Sequence, residues 1–443
     1  MKNELVIFRK IDNHCTSKGY QVKDYLSVTE AAFELKLSID TIRRWEKKGL
    51  IKAARDKNNR RIFDKTELQK ACDKYVSGGD SHPYQILKSK KVHDVKCIEL
   101  FAGAGGLALG LKNAGIKSEM LIEIDKDAAA TLKHNLPGWN VVCDDARNID
   151  YTDINADVVS GGFPCQAFSY AGSKLGFEDA RGTLFFELLR CVKEVRPKIV
   201  LGENVRGLLR HENGRTLSTM VSLLEEQGYR VTYKVARAQY LDVPQKRERL
   251  IIWGIRNDLD YDFFFPKERD YTISIREALK NIPDSLGQKY PARKAEIMKL
   301  IPPGGYWRDL PLELQKEYMR ASFFMGGGKT GMARRLAWDE PSLTLTCAPA
   351  QKQTERCHPG ETRPLNVREY ARIQTFPDTW DFCGKMTSQY KQIGNAVPVN
   401  LGYYLGKCIL NMMRLENTPN EVEKFDGFRG HYGNELPLFA QAS

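Results

Sequence analysis

The 443-residue chain lacks several features that mark large classes of protein. It has no apolar run near the roughly 20 residues that span a bilayer. Its first ten residues mix charged and apolar side chains, unlike a signal peptide. The expectation is a cytoplasmic protein with no membrane partner. Its ten cysteines form no CxxC pair and follow no regular spacing, which argues against a disulfide framework and a structural zinc site. No metal is expected, and free thiols suit a reducing compartment.

What is present is enough for two or three cored domains, with 42% hydrophobic and 28% charged residues. The formal net charge of +12 points to a polyanion, nucleic acid first. Residues 1–91 hold 21 Lys/Arg against 12 Asp/Glu, so most of the excess lies at this end.

Within that end, Ser27 followed by Glu30 predicts a capped helix. A second helix is predicted from Ser38 to Gly49, leaving only Lys36 and Leu37 as the turn between them. A hairpin with a basic tip follows, flanked by Arg60 and Arg61. The order resembles the winged helix-turn-helix heads of MerR-type regulators and excisionases. In such heads the second helix, here carrying Arg43 and Arg44, enters the major groove while the wing grips backbone. The head is assigned to residues 1–76, with 77–95 as a linker.

A different pattern begins at Lys96. A strand runs into the glycine-rich turn Phe101-Ala102-Gly103-Ala104-Gly105-Gly106, then a helix, then a second strand reaching Glu123 and Ile124. Strand, glycine turn, helix, strand and acid describe a nucleotide-binding βαβ unit of an α/β fold. The spacing is not GxGxxG, so no pyrophosphate is implied. Glu123 can take two ribose hydroxyls, and Asp145, beside Ala146 after a third strand, suits an adenine amino group. Ribose and adenine without required phosphates point to S-adenosyl-L-methionine.

The chain's centre is Gly161-Gly162-Phe163-Pro164-Cys165-Gln166, which follows a β-branched run and presents a thiol at a strand's carboxyl end. Glu203 is predicted at the end of another strand and Arg249 at the start of the next, on the same edge. Such an edge fits chemistry on an electron-poor ring: the thiolate adds, the acid meets a ring nitrogen and the guanidinium holds a carbonyl oxygen. Residues 258–361 interleave glycines, aromatics and cations in loops that suit nucleic-acid reading. Cys357-His358 has no companion acid at suggestive spacing and is read as loop structure, and Arg363 to Pro377 reads as a helix.

Taken together, residues 96–411 resemble the bacterial DNA (cytosine-5)-methyltransferases, with their motifs in order. The resemblance implies a Rossmann-like catalytic domain at 96–257 and a small irregular target-recognition domain at 258–361. Closing motifs would occupy 362–411 and a tail 412–443. It implies a cofactor site from the glycine turn, Glu123, Ile124, Asp145, Ala146, Pro164 and Leu184, completed by Asn395, Ala396 and Val397. Cys165, Glu203, Arg247 and Arg249 would be catalytic. Gln166, Ser169, Arg181, Thr344 and Leu345 would touch DNA. Glu99 stands where Asp is usual, and Ile124 where some members carry an aromatic.

The implied reaction is methyl transfer to C5 of a cytosine flipped out of duplex DNA. Pairing with a restriction endonuclease is expected, while the head would bind separate DNA such as its own promoter. Competing readings are a solitary regulatory methylase, a transcription regulator that only senses S-adenosylmethionine, and an RNA cytosine methylase.

Overall fold

The computed structural model describes residues 25–35, 37–47, 49–77, 82–163 and 184–427. The expectations placed on Pro164, Cys165, Gln166, Ser169 and Arg181 lie outside the described residues.

The head begins with β1 (Tyr25–Ser27) and α1 (Val28–Leu35). A reciprocal cap starts the helix: the Ser27 N–H donates to Glu30, and the Glu30 N–H to the Ser27 hydroxyl. Next, α2 (Ile39–Lys47) starts on Ser38, whose hydroxyl accepts from the Thr41 N–H at 2.9 Å. Strands β2 (Ala53–Arg55) and β3 (Arg61–Asp64) form the wing and pair with β1 in the order β1-β3-β2. Helix α3 (Lys65–Ser77) closes the unit over Ala31, Ala32, Ile42, Trp45 and Phe63.

The catalytic domain alternates strands and helices: β4 (Lys96–Leu100), α4 (Gly106–Ala114), β5 (Lys117–Ile122), α5 (Lys126–Asn135), β6 (Val141–Val142), β7 (Val158–Gly162), α6 (Leu184–Val195), β8 (Ile199–Val205), α7 (Arg215–Glu226), β9 (Tyr229–Arg237), β10 (Gln245–Lys246) and β11 (Glu248–Arg256). Seven strands form one sheet in the order β6-β5-β4-β7-β8-β11-β9. The first five run parallel, and β11 is antiparallel to both neighbours. Both faces are covered, so Ile98, Leu100, Val159, Val200 and Leu201 are all buried, as a parallel sheet requires. The chain reverses its direction of growth between β4 and β7. The carboxyl ends of those two strands therefore open the crevice where ligands bind.

Beyond β11 come β12 (Phe264–Pro266), α8 (Ile275–Ala278), α9 (Ala292–Lys299), α10 (Leu312–Met319), β13 (Ser342–Leu343), α11 (Val367–Ile373), α12 (Met386–Asn395), α13 (Val399–Met412) and β14 (Val422–Lys424). The stretch read as one irregular domain from 258 divides differently. Phe263 and Phe265 bury in the catalytic core beside α13, and β12 pairs with β14. A separate core forms only later, from Ile297, Met298, Trp307, Tyr318, Met319 and Met332. The helix expected across Arg363–Pro377 is shorter, because it starts after Pro364 on a capping box between Asn366 and Glu369.

Residues 82–95, read as linker, run along the catalytic domain. Asn400 accepts from the Leu87 N–H and donates to the Gln85 carbonyl, both at 2.9 Å. Helices α4 and α13 meet at their backbones: a Cβ on Gly110 would lie 2.5 Å from the Cα of Gly402. Only glycine permits that approach.

Candidate active site

The turn after β4 is built for close approach. Phe101 adopts a left-handed φ of 59°, a conformation costing roughly 1–3 kcal/mol in a non-glycine residue and typical of ligand-holding edges. Gly103 and Gly105 are left-handed too, at φ 54° and 85°. A Cβ on Gly106 would strike the Val397 carbonyl at 2.0 Å and the Ala396 Cβ at 3.2 Å. The Ala396-Val397 segment thus closes the back of the turn. Ala102, Ala104, Ala396 and Val397 are all buried.

Glu123, just past β5, accepts from the Gly103 N–H and the Asp125 N–H, each at 2.7 Å. These bonds fix the carboxylate while leaving lone pairs for further donors. Beside it Ile124 is 62% exposed, a large aliphatic surface facing outward. Asp145 caps the short turn Ala146–Asn148, and its carboxylate is held by Arg147 at 2.5 Å. The hydrogen bonds from Arg147 pull its pKa down to about 2, so it is an anionic acceptor at neutral pH. Leu184 opens α6 and packs on the core beneath.

On the other side of the crevice, Glu203 lies directly across from Gly162 in the β7–β8 ladder, and Arg249 across from Val205 in the β8–β11 ladder. A Cβ on Gly162 would sit 3.1 Å from the Glu203 carboxylate, so the glycine leaves that group room. Arg249 Nε reaches Glu203 Oε1 at 2.7 Å, and both side chains are largely buried. Burial lowers the pKa of Arg249, with Glu203 opposing the shift. The contact fixes both side chains at the crevice wall. Asn204 Nδ2 donates to the Phe163 carbonyl at 2.8 Å, anchoring the chain where it leaves β7 toward Pro164-Cys165.

Arg247, grouped by sequence with the catalytic residues, is placed differently. It is 2% exposed, and its guanidinium donates to the carbonyls of Leu345 (3.4 Å) and Gly394 (3.2 Å). Gln245 accepts from the Leu345 N–H and donates to Gln374, which in turn donates to the carbonyls of Ile393 and Ala396. This buried network ties β10, the Thr344-Leu345 segment and the end of α12 together. Within it Arg247 is held by two backbone carbonyls and, at 3.5 Å, by the Gln245 side chain. Leu345, expected on DNA, is buried in the core, whereas Thr344 donates its hydroxyl to the Lys246 carbonyl at the rim. Asn395 is exposed and accepts from the Cys347 thiol at 3.1 Å.

Asn204, Gln245 and Gln374 fall within the motif segments that carry the family resemblance but had no role assigned from sequence, and Cys347 was not singled out at all. For Asn204 the signal was its place beside Glu203; the others carry none locally. Cys357 is buried, and His358 Nδ1 accepts the N–H groups of Gly360 and Glu361, which organises that loop. In the head, Arg43, Arg44, Arg60 and Arg61 are all exposed, Arg44 bonded to Thr41 and Arg61 paired with Glu46.

Comparison with known proteins agrees with this geometry. Residues 95–411 match the model of the C-5 cytosine-specific DNA methylase family, and residues 27–63 that of the MerR family of regulatory proteins. The chain is 54% identical to the Type II methyltransferase M.Eco47II of Escherichia coli, covering 88% of this chain and 97% of that one. It is 51% identical to M.PspPI of Psychrobacter, over 90% and 98% respectively, and 50% identical to M.Sau96I of Staphylococcus aureus, over 74% and 78%. Among solved structures, a Spodoptera frugiperda DNMT2 mutant superposes with a TM-score of 0.53 at 19% identity, over 72% of this chain and all of that one; this shows the shared fold. The chain therefore belongs to the C-5 cytosine-specific DNA methylase family, and it is an enzyme that acts on DNA.

Proposed function

We propose that the methyl group comes from S-adenosyl-L-methionine and is placed on C5 of a cytosine flipped out of duplex DNA. The pocket residues fit this donor: an aimed carboxylate on Glu123, an outward Ile124 surface, the anionic Asp145 and a glycine turn in which a Cβ on Gly103 would meet nothing. Glu123 would take the ribose hydroxyls, Ile124 the adenine face and Asp145 its amino group. When bound, S-adenosylmethionine supplies an electrophilic methyl group.

A cytosine C5 is too weak a nucleophile to accept a methyl unaided. The Cys165 thiolate would add at C6 and turn the ring into an enamine, making C5 reactive. A free thiol has a pKa of roughly 8.5, so the Arg249 charge would help ionise it. Glu203 would meet ring N3 with a proton between them, and Arg249 would donate to O2, both stabilising charge as it develops. Loss of the C5 proton and expulsion of Cys165 would restore the ring.

The observation that carries this reading is the Glu203–Arg249 pair at 2.7 Å on the edge where Phe163 leads into Pro164-Cys165. The relatives' shared description as Type II methyltransferases supports pairing with a restriction endonuclease. A DNA substrate fits a place on the nucleoid in the cytoplasm. The test is tritium transfer from labelled S-adenosylmethionine to unmethylated genomic DNA, with base analysis. Wild type is expected to form 5-methylcytosine, and Cys165→Ala to lose at least ~1,000-fold, the scale of removing a nucleophile. A wild-type chain that binds donor and DNA yet transfers nothing would instead be a sensing regulator.

A further inference from the structure

The head is docked on the recognition region. Ser38, which caps α2, donates its N–H to Asp339 at 3.0 Å and its hydroxyl to Glu340 at 2.5 Å, and the Thr41 hydroxyl donates to Asp339. Ser38 and Thr41 are fully buried there. A Cβ on Gly304 would come within 2.7 Å of the Ser38 Cβ, so the two surfaces touch. The other Glu340 oxygen accepts from Lys246 at 2.9 Å, and Lys246 separates Gln245 from Arg247. One carboxylate therefore joins the start of α2 to the strand that carries the buried network.

In a helix-turn-helix the first residues of the second helix reach base edges. Here Ser38 and Thr41, at that start, face protein. The exposed side of α2 carries Arg43, Arg44 and Lys47, and the wing tip exposes Lys57, Asn58, Asn59 and Arg60. Long cations and amides suit phosphates, which fix register without reading sequence. Asp339 precedes Thr344 by five residues, at most about 18 Å of extended chain. A duplex turns once in about 34 Å. A duplex engaged at Thr344 therefore passes within about half a turn of the start of α2.

We propose that the docked head grips the backbone of the same duplex that carries the target cytosine, on one flank of the site, without reading its sequence. This rests on the methyltransferase reading above. A separate duplex such as the chain's own promoter, expected from sequence, would need the start of α2 free to enter a groove.

The test uses the full-length protein. Base-resolution sequencing of genomic DNA methylated by the enzyme locates the site. Two duplexes centred on it are then compared, one of about 14 base pairs and one extended by about one turn, ~10 base pairs, on each side. Wild type is expected to bind the longer duplex at least ~10-fold tighter at low salt, and to protect one flank from hydroxyl-radical cleavage. A triple variant, Lys47→Ala, Lys57→Ala and Arg60→Ala, changes only exposed residues outside the docking contact, and its unfolding midpoint serves as the folding control. In it the length advantage is expected to vanish and the flank to become cleavable. The salt slope of log Kd on the long duplex should fall by about 3, near 0.9 for each phosphate that is no longer neutralised. Equal binding of both duplexes by wild type would overturn the proposal. So would a promoter fragment bound through these three residues while the flank stays unprotected. Methylation of the short duplex by wild type is scored alongside; if it is methylated while the length effect is absent, the flank proposal alone fails.

Discussion

Glu99 sits on β4, four residues before Gly103, with its side chain buried and its Oε2 without a hydrogen-bond partner among the described residues. Burial, and then the charge of Glu123, push its pKa well above the usual carboxylate range. A raised pKa in the folded state means that the chain holds this proton more tightly when folded. The associated stability is complete below the unfolded pKa of about 4.3 and is lost as pH rises through the folded value. Glu99→Gln cannot ionise. It is therefore expected to match wild type near pH 4 and to unfold at a higher temperature than wild type at pH 8 to 9. A series of thermal melts across pH checks this, and a difference independent of pH would refute it. Charged residues at strand ends, Glu123, Glu203 and Arg249, were legible in the sequence, because a strand followed by an isolated acid or base places that group on the ligand edge. Arg247 was not, since two residues from Arg249 a side chain can point into the core, and only the packing of β13 and α12 decides it.

At the scale of elements, the glycine turn shows how two glycines can be needed for different reasons. Gly103 requires its conformation and has open space around it, whereas Gly106 requires the absence of a side chain against Val397. Gly106→Ala is expected to force α4 away from the Ala396-Val397 segment. The cost should be about 1–3 kcal/mol in urea unfolding, with donor binding weakened as the back of the pocket opens. Gly103→Ala, strained but not crowded, should cost about 1 kcal/mol and serves as the comparison. An unchanged affinity for the donor in Gly106→Ala would show that the segment does not shape the pocket. The turn itself was legible as strand, glycines, helix and acid. The closing segment's role was not derivable from its own residues, because its partner lies almost 300 positions earlier. The shortened α11 and the early residues of the recognition region show the same limit. Phe263 and Phe265 look like loop aromatics until the catalytic sheet is there to bury them.

For the whole molecule, the docking of the head joins residues some 300 positions apart: Ser38 to Asp339 and Glu340. Nothing local announces it, since Asp339-Glu340 reads as an ordinary acidic turn. Replacing both by alanine would remove the acceptors for the Ser38 N–H, the Thr41 hydroxyl and Lys246 together. Each such bond to a charged group is worth roughly 1.5–3 kcal/mol. The double variant is expected to unfold in two steps, head first, where wild type unfolds in one; calorimetry of the full chain distinguishes them. A single transition in both would mean that other contacts hold the head.

The backbone contact between α4 and α13 also has a consequence during synthesis. Gly110 leaves the ribosome 292 residues before Gly402, the residue it packs against. At about 5–20 residues per second, the apolar face of α4 waits roughly 15–60 s for its cover. Nascent chains of this protein spend that interval with an incomplete core, a target for chaperones. A ribosome stalled before α13 therefore carries no working enzyme, however much of the catalytic sheet has already emerged.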